Sequence, residues 1–400
     1  MSVESASIVT PASALPLIVV MSGVPLGNRA RYALAARMNT LASDLSHAGF
    51  DVLLVAPNGT RITGPGAART GRSIRSLDRP NSKRSETVST VLGDALKVFV
   101  RALVALRPDK QTRPVVLLST GVWVPFFARM LVALHERMYL HLDVPGIPHT
   151  ELALSRPRFW RGKVGLYAHV FSTLLRHSAV ITTINESHAR FLRDHFGIEA
   201  LVVPDLLNEG WLRRLMSLPA HVPGDRVNIL YAGALFGSRI DLFLKTVAPL
   251  AEQGTVRTVV LGDGPDRARL RAQFERSGIL FPGYEPTDSL LARLAEADIC
   301  YSDVWHEIGT PYKVLEYMAA GRAVLSHDTD SLRGTITNGV DGVLCGKDER
   351  SVAQALRMLI EDGDLRLRLG QRARRRILEL HQSDRLQGLP AKYSELGTGV

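Results

Sequence analysis

Cysteine is nearly missing from this 400-residue chain, which has two, Cys300 and Cys345. Both sit in apolar sequence without a CxxC spacing. That excludes a disulfide framework and a cysteine zinc site, and it fits a reducing, cytoplasmic setting. Long apolar runs are missing too. Residues 1–15 lack a basic leader, and the run at 17–21 is too short for a signal segment. The best mimic of a membrane span, residues 115–134, is broken by Ser119, Thr120, Gly121, Pro125 and Arg129, and reads as strand, turn and helix. Acidic residues are short in one half only. Residues 1–220 carry 26 Lys+Arg against 15 Asp+Glu, whereas residues 221–400 carry 23 against 24. The net charge of +10 is therefore a property of the first half, which points that half at something anionic or gives it a solvated basic surface. Aromatic residues are missing from the arginine-rich stretch 366–376, which argues for a solvated helix face and against nucleic acid.

What is present is an ordinary soluble composition, 46% apolar and 22% charged, long enough for two domains with separate cores. Strand-like and helix-like segments alternate. In the first half, strands are expected at 17–21, 51–56, 115–118, 138–142, 180–183 and 201–203, with helices at 31–49, 86–107 and 161–177. The helix at 86–107 places Val91, Leu92, Leu96, Phe99 and Leu103 on its apolar side. Residues 57–85 read as loop, either a basic lid or an insert, with Arg61, Arg69, Arg72, Arg75, Arg79, Lys83 and Arg84. A Pro-rich break covers 204–223, and the alternation then restarts, with strands at 227–231, 256–261, 279–281, 299–302, 323–325 and 343–345 and a long helix at 351–380. Regular alternation predicts an α/β protein of two Rossmann-like, doubly wound parallel-sheet domains facing a cleft. The expected boundaries are 1–210, 211–380 and a terminal segment 381–400 that packs back on the first domain. Ligands of such sheets bind beyond the carboxyl ends of the strands.

The most informative stretch is 305–327, WHEIGTPYKVLEYMAAGRAVLSH. A loop with Gly309, Thr310 and Pro311 leads into a helix beginning near Tyr312, which Gly321 stops. Loop amides and a helix N-terminus suit a phosphate, and Lys313 adds a cation. Glu316, three residues on, shares the helix face of Lys313. A carboxylate can accept from both hydroxyls of a ribose, so the stretch reads as a grip for a nucleoside diphosphate. Other strand ends carry glycine: Gly233 after 227–231, Gly262 and Gly264 in a Gly-Asp-Gly-Pro turn after 256–261, and Gly283 with Tyr284 after 279–281.

These motifs make residues 227–380 similar to the donor domain of retaining family-4-type glycosyltransferases with the GT-B fold (glycosyl transferases group 1). The family pattern P-x-K-x-x-E-x-M-A-x-G-x-P-V is met by Pro311, Lys313, Glu316, Met318, Ala319, Gly321 and Val324, with Ala323 in place of its second proline. The first half resembles the family in outline only. The resemblance implies that Glu316 holds ribose. It implies that Lys313 and the loop with Thr310, Pro311 and Tyr312 lie along the diphosphate and sugar, and that Gly283 and Tyr284 edge the base. Gly27 resembles a first-domain phosphate loop. His141, in Leu140-His141-Leu142-Asp143, resembles a donor-facing histidine at a strand end. An acid eight residues before Glu316 is common in the family; here Ile308 stands there and Glu307 is one residue off, so Glu307 becomes a candidate catalytic acid with His141 and Lys313. Ala234 replaces a usual arginine, and Arg239 stands for a usual lysine. Asp328-Thr329-Asp330 spells a metal-binding triplet of a different fold and is read as a surface turn, so no metal is expected.

The expected activity is transfer of a sugar from a nucleoside-diphosphate sugar, UDP- or GDP-linked, with retention and with no cofactor beyond the donor. The acceptor is a glycan or lipid-linked saccharide, in polysaccharide or glycoconjugate biosynthesis. Location is cytoplasmic, with peripheral contact to an anionic membrane surface through the basic half. Three other readings stand beside it: a non-catalytic nucleotide-sugar-binding subunit, a nucleotide-sugar epimerase of the same fold, and a glycosyltransferase acting on a small aglycone.

Overall fold

The computed structural model describes residues 15–22, 33–57, 59–64, 88–106, 113–146, 161–219, 224, 226–235, 240–305, 312–382 and 384–398. Among these residues, thirteen strands form two sheets. The first has strands β1 (Leu17–Met21), β2 (Val52–Ala56), β3 (Gly59–Thr63), β4 (Val115–Thr120), β5 (Met138–Val144), β6 (Val180–Thr183) and β7 (Leu201–Val202), in the order β3-β2-β1-β4-β5-β6-β7. Every pair is parallel except β2 with β3. The β-branched and leucine-rich runs of β1, β2 and β4 are buried on both faces, as a sheet covered on two sides requires. Helices α1 (Ala33–His47), α2 (Val88–Leu106), α3 (Trp123–Leu134), α4 (Arg161–Arg176) and α5 (Glu186–Phe196) follow its strands.

Two features of this half differ from the sequence reading. Residues 59–63, within the stretch expected as loop, form an antiparallel edge strand, with Ala56 opposite Gly59. The second difference is the orientation of α2. It buries Ala95, Val98, Ala102 and Leu106, while Val91, Leu92, Leu96, Val100, Leu103 and Val104 are exposed. Helical spacing fits either face. The buried side of α2 joins the core under the sheet, and α2 meets α3 through Phe99 and Phe127, whose ring centres are 5.6 Å apart.

A buried ion triad ties α1 to the sheet. The Arg37 guanidinium donates to both carboxylate oxygens of Asp143 on β5, at 2.8 and 2.7 Å, and to Asp205 at 3.0 Å. Thr182 of β6 adds a hydroxyl bond to Asp143 at 2.7 Å. Burial pushes the Asp143 carboxyl up, but Arg37 outweighs it and holds the group below its ordinary value. Asp205 has a single bond to Arg37, and there burial prevails and raises the carboxyl.

The chain crosses to the second half through Val203–Leu207 and helix α6 (Glu209–Met216), capped by the Asn208 side chain on the Gly210 amide. This helix lies inside the stretch the sequence reading took as a break. The second sheet is all-parallel: β8 (Val227–Ala232), β9 (Val256–Leu261), β10 (Leu280–Gly283), β11 (Ile299–Ser302), β12 (Ala323–His327) and β13 (Val343–Cys345), ordered β10-β9-β8-β11-β12-β13. It carries α7 (Asp241–Glu252), α8 (Arg267–Phe274), α9 (Thr287–Glu296), α10 (Tyr312–Ala319), the single turn α11 (Asp330–Arg333), α12 (Glu349–Glu361) and α13 (Gly363–Gln382). The long helix expected at 351–380 is thus two, parted at Asp362, whose side chain accepts from the Leu365 amide. In each sheet the strand order reverses once, beside β1 and beside β8, which makes the crevice at a doubly wound switch point.

After α13 the chain returns to the first half. Leu386, together with Leu389 and Tyr393 of α14 (Leu389–Thr398), joins the core formed by β1, β2, β4 and α1. Arg385 pairs with Asp44 of α1 at 3.2 Å.

Candidate active site

The second sheet's switch point lies between β8 and β11, and the sequence motifs collect there. Glycine turns at the ends of β8, β9 and β10 are laced together. The Gly233 amide donates to Leu261 O at 3.0 Å, and the Gly262 amide donates to Gly283 O at 2.9 Å. Gly262 holds φ +132°, and a Cβ there would overlap the Gly233 carbonyl. A Cβ on Gly264 would likewise overlap the Leu235 carbonyl. These glycines are therefore required by the close approach of one loop to the next, which shapes a smooth floor. Gly262→Ala is expected to lower stability by about 2–4 kcal/mol, read from urea unfolding, because both the clash and the positive φ oppose a methyl. Gly283, at φ +92°, lies against Arg267, whose guanidinium would be 2.8 Å from a Cβ. Tyr284 beyond it is exposed. Arg267 is a cation at this edge that sequence reading missed.

Lys313, in the first turn of α10, does not stand alone. Its ammonium pairs with Asp303, just past β11, and lies over the Tyr231 ring at 4.3 Å. The Tyr231 hydroxyl donates to the same carboxylate at 3.0 Å. Burial pushes Asp303 up, and Lys313 with Tyr231 more than reverses this, so Asp303 is ionised well below neutral pH. A Cβ on Gly233 would stand 3.0 Å from Lys313 Nζ, so the glycine leaves the ammonium reachable from the β8 loop. Asp303 carried no motif; its position one residue past a predicted strand end was the available signal.

Glu316, one turn along α10, is half-buried and accepts from Trp211 Nε1 of α6 at 2.8 Å. Burial raises its carboxyl to about 7, against the opposing pull of the Trp211 bond. Tyr312, at the start of α10, accepts a bond from the Asn208 amide at 3.3 Å. Tyr317, the next residue, fixes the helix to the β8 end through Ala232, receiving its amide at 2.8 Å.

His141 corrects an expectation. It does not end its strand: β5 continues to Val144, and His141 pairs in register with Val180, the first residue of β6. The ring is fully buried, with Nδ1 2.5 Å from the Tyr393 hydroxyl of α14 and Nε2 2.8 Å from Thr182 Oγ1. Burial lowers it to about 4, with Arg37 reinforcing and Asp143 opposing, so it is neutral at physiological pH. It holds the terminal helix on the sheet and does not open to a cleft. Asp328 and Asp330 both pair with Arg333, as an ordinary surface turn would. Among the described residues no cluster of His, Cys, Asp and Glu is arranged for a metal. Gly27, Arg239, Glu307, Thr310 and Pro311 lie outside the described residues.

Comparison with known proteins gives this arrangement its context. Residues 226–362 match the family model of glycosyl transferases group 1. Among solved structures, the chain is similar to sucrose-phosphate synthase from Thermosynechococcus elongatus, at 16% identity and TM-score 0.69 over 96% of this chain and 98% of that one. It is also similar to WaaG, a glycosyltransferase involved in lipopolysaccharide biosynthesis, at 15% identity and TM-score 0.62 over 96% and 100%. HepE from Anabaena, solved in complex with UDP, matches at 12% identity and TM-score 0.61 over 96% and 100%. The chain has the GT-B fold. Its second domain carries the group 1 match, and the first is the other Rossmann-like half of the GT-B pair. No curated protein matches the sequence. The two GT-B domains touch where Ser187 of α5 donates to Asp330 O of α11 at 3.3 Å.

Proposed function

We propose that this protein transfers a sugar, with retention, from a UDP- or GDP-linked donor to a glycan or lipid-linked acceptor. The observation that carries the reading is the pair Lys313–Glu316 on one helix, placed at the end of β11 beside the laced glycine turns of a group 1 domain. Glu316 is assigned to the ribose hydroxyls. Lys313, the α10 N-terminus and the loop before it are assigned to the diphosphate. A leaving diphosphate stabilised there can accept the incoming hydroxyl's proton, with no covalent nucleophile and no metal. Glu307 and Arg239 keep the roles the resemblance implies, as residues facing the sugar and the phosphates. The neighbours support a nucleotide donor, since HepE was solved with UDP.

The test is a thermal-shift panel of nucleoside diphosphates and sugar nucleotides, followed by donor turnover. One base and sugar should stabilise the protein selectively, and Glu316→Ala should abolish both stabilisation and turnover. Selective binding without hydrolysis or transfer would favour a binding subunit. Free epimerised sugar nucleotide would favour the epimerase.

An anionic membrane is assigned as partner of the first domain. No helix among the described residues is long and apolar enough to cross a bilayer. The neighbouring helices α2 and α3 nevertheless expose Leu92, Leu96, Val100, Val104, Met130 and Leu134, with Val104 69% and Leu134 70% accessible. Exposed apolar patches on soluble proteins mark interaction surfaces, and the arginine-rich stretch 61–84 precedes α2 in sequence. Co-sedimentation with vesicles containing phosphatidylglycerol should be strong at low salt, weak with neutral lipid, and lost in Leu96→Glu/Val104→Glu. Equal binding to neutral vesicles, or none to either, sinks this assignment.

A further inference from the structure

We infer that Trp211, on the helix that joins the two domains, is a positioning residue of the donor site: it orients Glu316 for the ribose and senses whether the ribose is there. This rests on the assignment of Glu316 to the ribose. Trp211 is not on the donor motif, nor on any strand-end loop. It reaches the site because α6 packs on α10, and its indole N–H bonds Glu316 Oε1 at 2.8 Å. The Arg214 guanidinium lies over a face of the ring, 5.5 Å from its centre, and pairs with Asp288 of α9 at the surface. Trp211, Leu212 and Met216 of the same helix pack into the core cluster that holds α10. A second tie, from the Asn208 amide to the Tyr312 hydroxyl, fixes the start of α6 to the start of α10.

The chemistry follows from acceptor capacity. A carboxylate offers roughly four lone-pair directions. One is taken by the indole, which locks the plane of the group, and the others are left for two ribose hydroxyls. Without the indole the carboxylate rotates, and its buried charge has one partner fewer. The groups that face it are the Tyr312 and Tyr317 phenols of its own helix, both pushed up by burial, and Trp211 from α6; Asp205 and Arg385 act on Tyr312. The indole bond is thus the main device favouring the ionised, hydroxyl-accepting form. Because α6 begins at the crossing between the domains, the same bond joins the donor site to that crossing.

The experiment uses full-length protein labelled with 15N-tryptophan and the probes UDP, GDP and ADP. The chain has four tryptophans, so the Trp211 indole resonance is assigned by its loss in Trp211→Phe. In the wild type that resonance should titrate with a midpoint near 7 in the absence of nucleotide. The titration should vanish in Glu316→Gln, and the resonance should move when the stabilising nucleotide is added. Trp211→Phe should bind that nucleotide about tenfold more weakly, the lower end for loss of one hydrogen bond to a charged group, with the pH midpoint of binding moved upward. A purely structural role would weaken binding without moving the midpoint, and that result overturns the inference. So does a Trp211 resonance indifferent to both pH and nucleotide. If Glu316→Ala binds nucleotide normally, the ribose assignment fails. If it fails to bind while Trp211→Phe binds as wild type with the same midpoint, only the inference about Trp211 fails.

Discussion

Replacing Arg37 by alanine is expected to lower the free energy of unfolding by about 3–5 kcal/mol, the range for removing one partner of a buried ion pair. Three guanidinium bonds disappear, and two buried carboxylates, Asp143 and Asp205, are left facing each other. The pH dependence should identify the cause. In the wild type Asp143 is held below its ordinary value, so its contribution is present above about pH 4 and fades as acid protonates it. Without Arg37, burial and mutual repulsion push both carboxyls up. The folded variant then holds protons that its unfolded chain has released, and it loses stability as pH rises. Urea unfolding of Arg37→Ala should therefore give a higher midpoint at pH 5 than at pH 8. A loss equal at both pH values would mean that packing, and not charge, is what Arg37 supplies.

Changing Glu316 to glutamine is expected to move affinity and stability in opposite directions. Loss of the carboxylate should weaken nucleoside diphosphate binding about 10- to 100-fold, the scale of charge-assisted bonds to two hydroxyls. In the wild type, binding should itself fall as pH drops below 7, where the carboxyl, raised to about 7 by burial, takes up its proton. Stability runs the other way. The folded-state value lies above the ordinary 4.5, so this group opposes folding least below pH 4.5. It opposes folding increasingly as pH rises through 7. Glutamine has no such charge and still accepts from the Trp211 indole. Its stability should match the wild type near pH 4.5 and exceed it at pH 8 by on the order of 2 kcal/mol, seen as a higher thermal midpoint. Isothermal titration and calorimetry on one pair of proteins read both effects. A variant that binds as well as the wild type would remove Glu316 from the site.

The alternation of β-rich runs and amphipathic helices was enough to read two parallel sheets, because buried strands and helices leave different periods in sequence. Lys313 and Glu316 were legible for the same kind of reason: both sit at fixed spacing on one short helix with clear stop signals. Trp211 and Arg267 were not legible, since each enters the site from an element far from α10 in sequence, and Asp303, ten residues before Lys313, had only its place just past a strand end to mark it. His141 misled because sequence shows that a strand contains it and not how far the strand continues; the register with Val180 decides that. The apolar spacing of α2 named a helix correctly but not its buried face. Which face is buried is set by the sheet and α3 packed against it, and that is visible only once those partners are in place.

The return of the chain to its starting domain has a consequence for synthesis. Leu386, Leu389 and Tyr393 are core residues of the sheet whose first strand begins at Leu17. A ribosome that has made the whole first domain has not yet made the side chains that close it. The second domain, whose strands are contiguous in sequence, can complete its core earlier. The amino-terminal domain is therefore the one that finishes folding last, and until then Phe50 and His141 wait for a tyrosine hundreds of residues away.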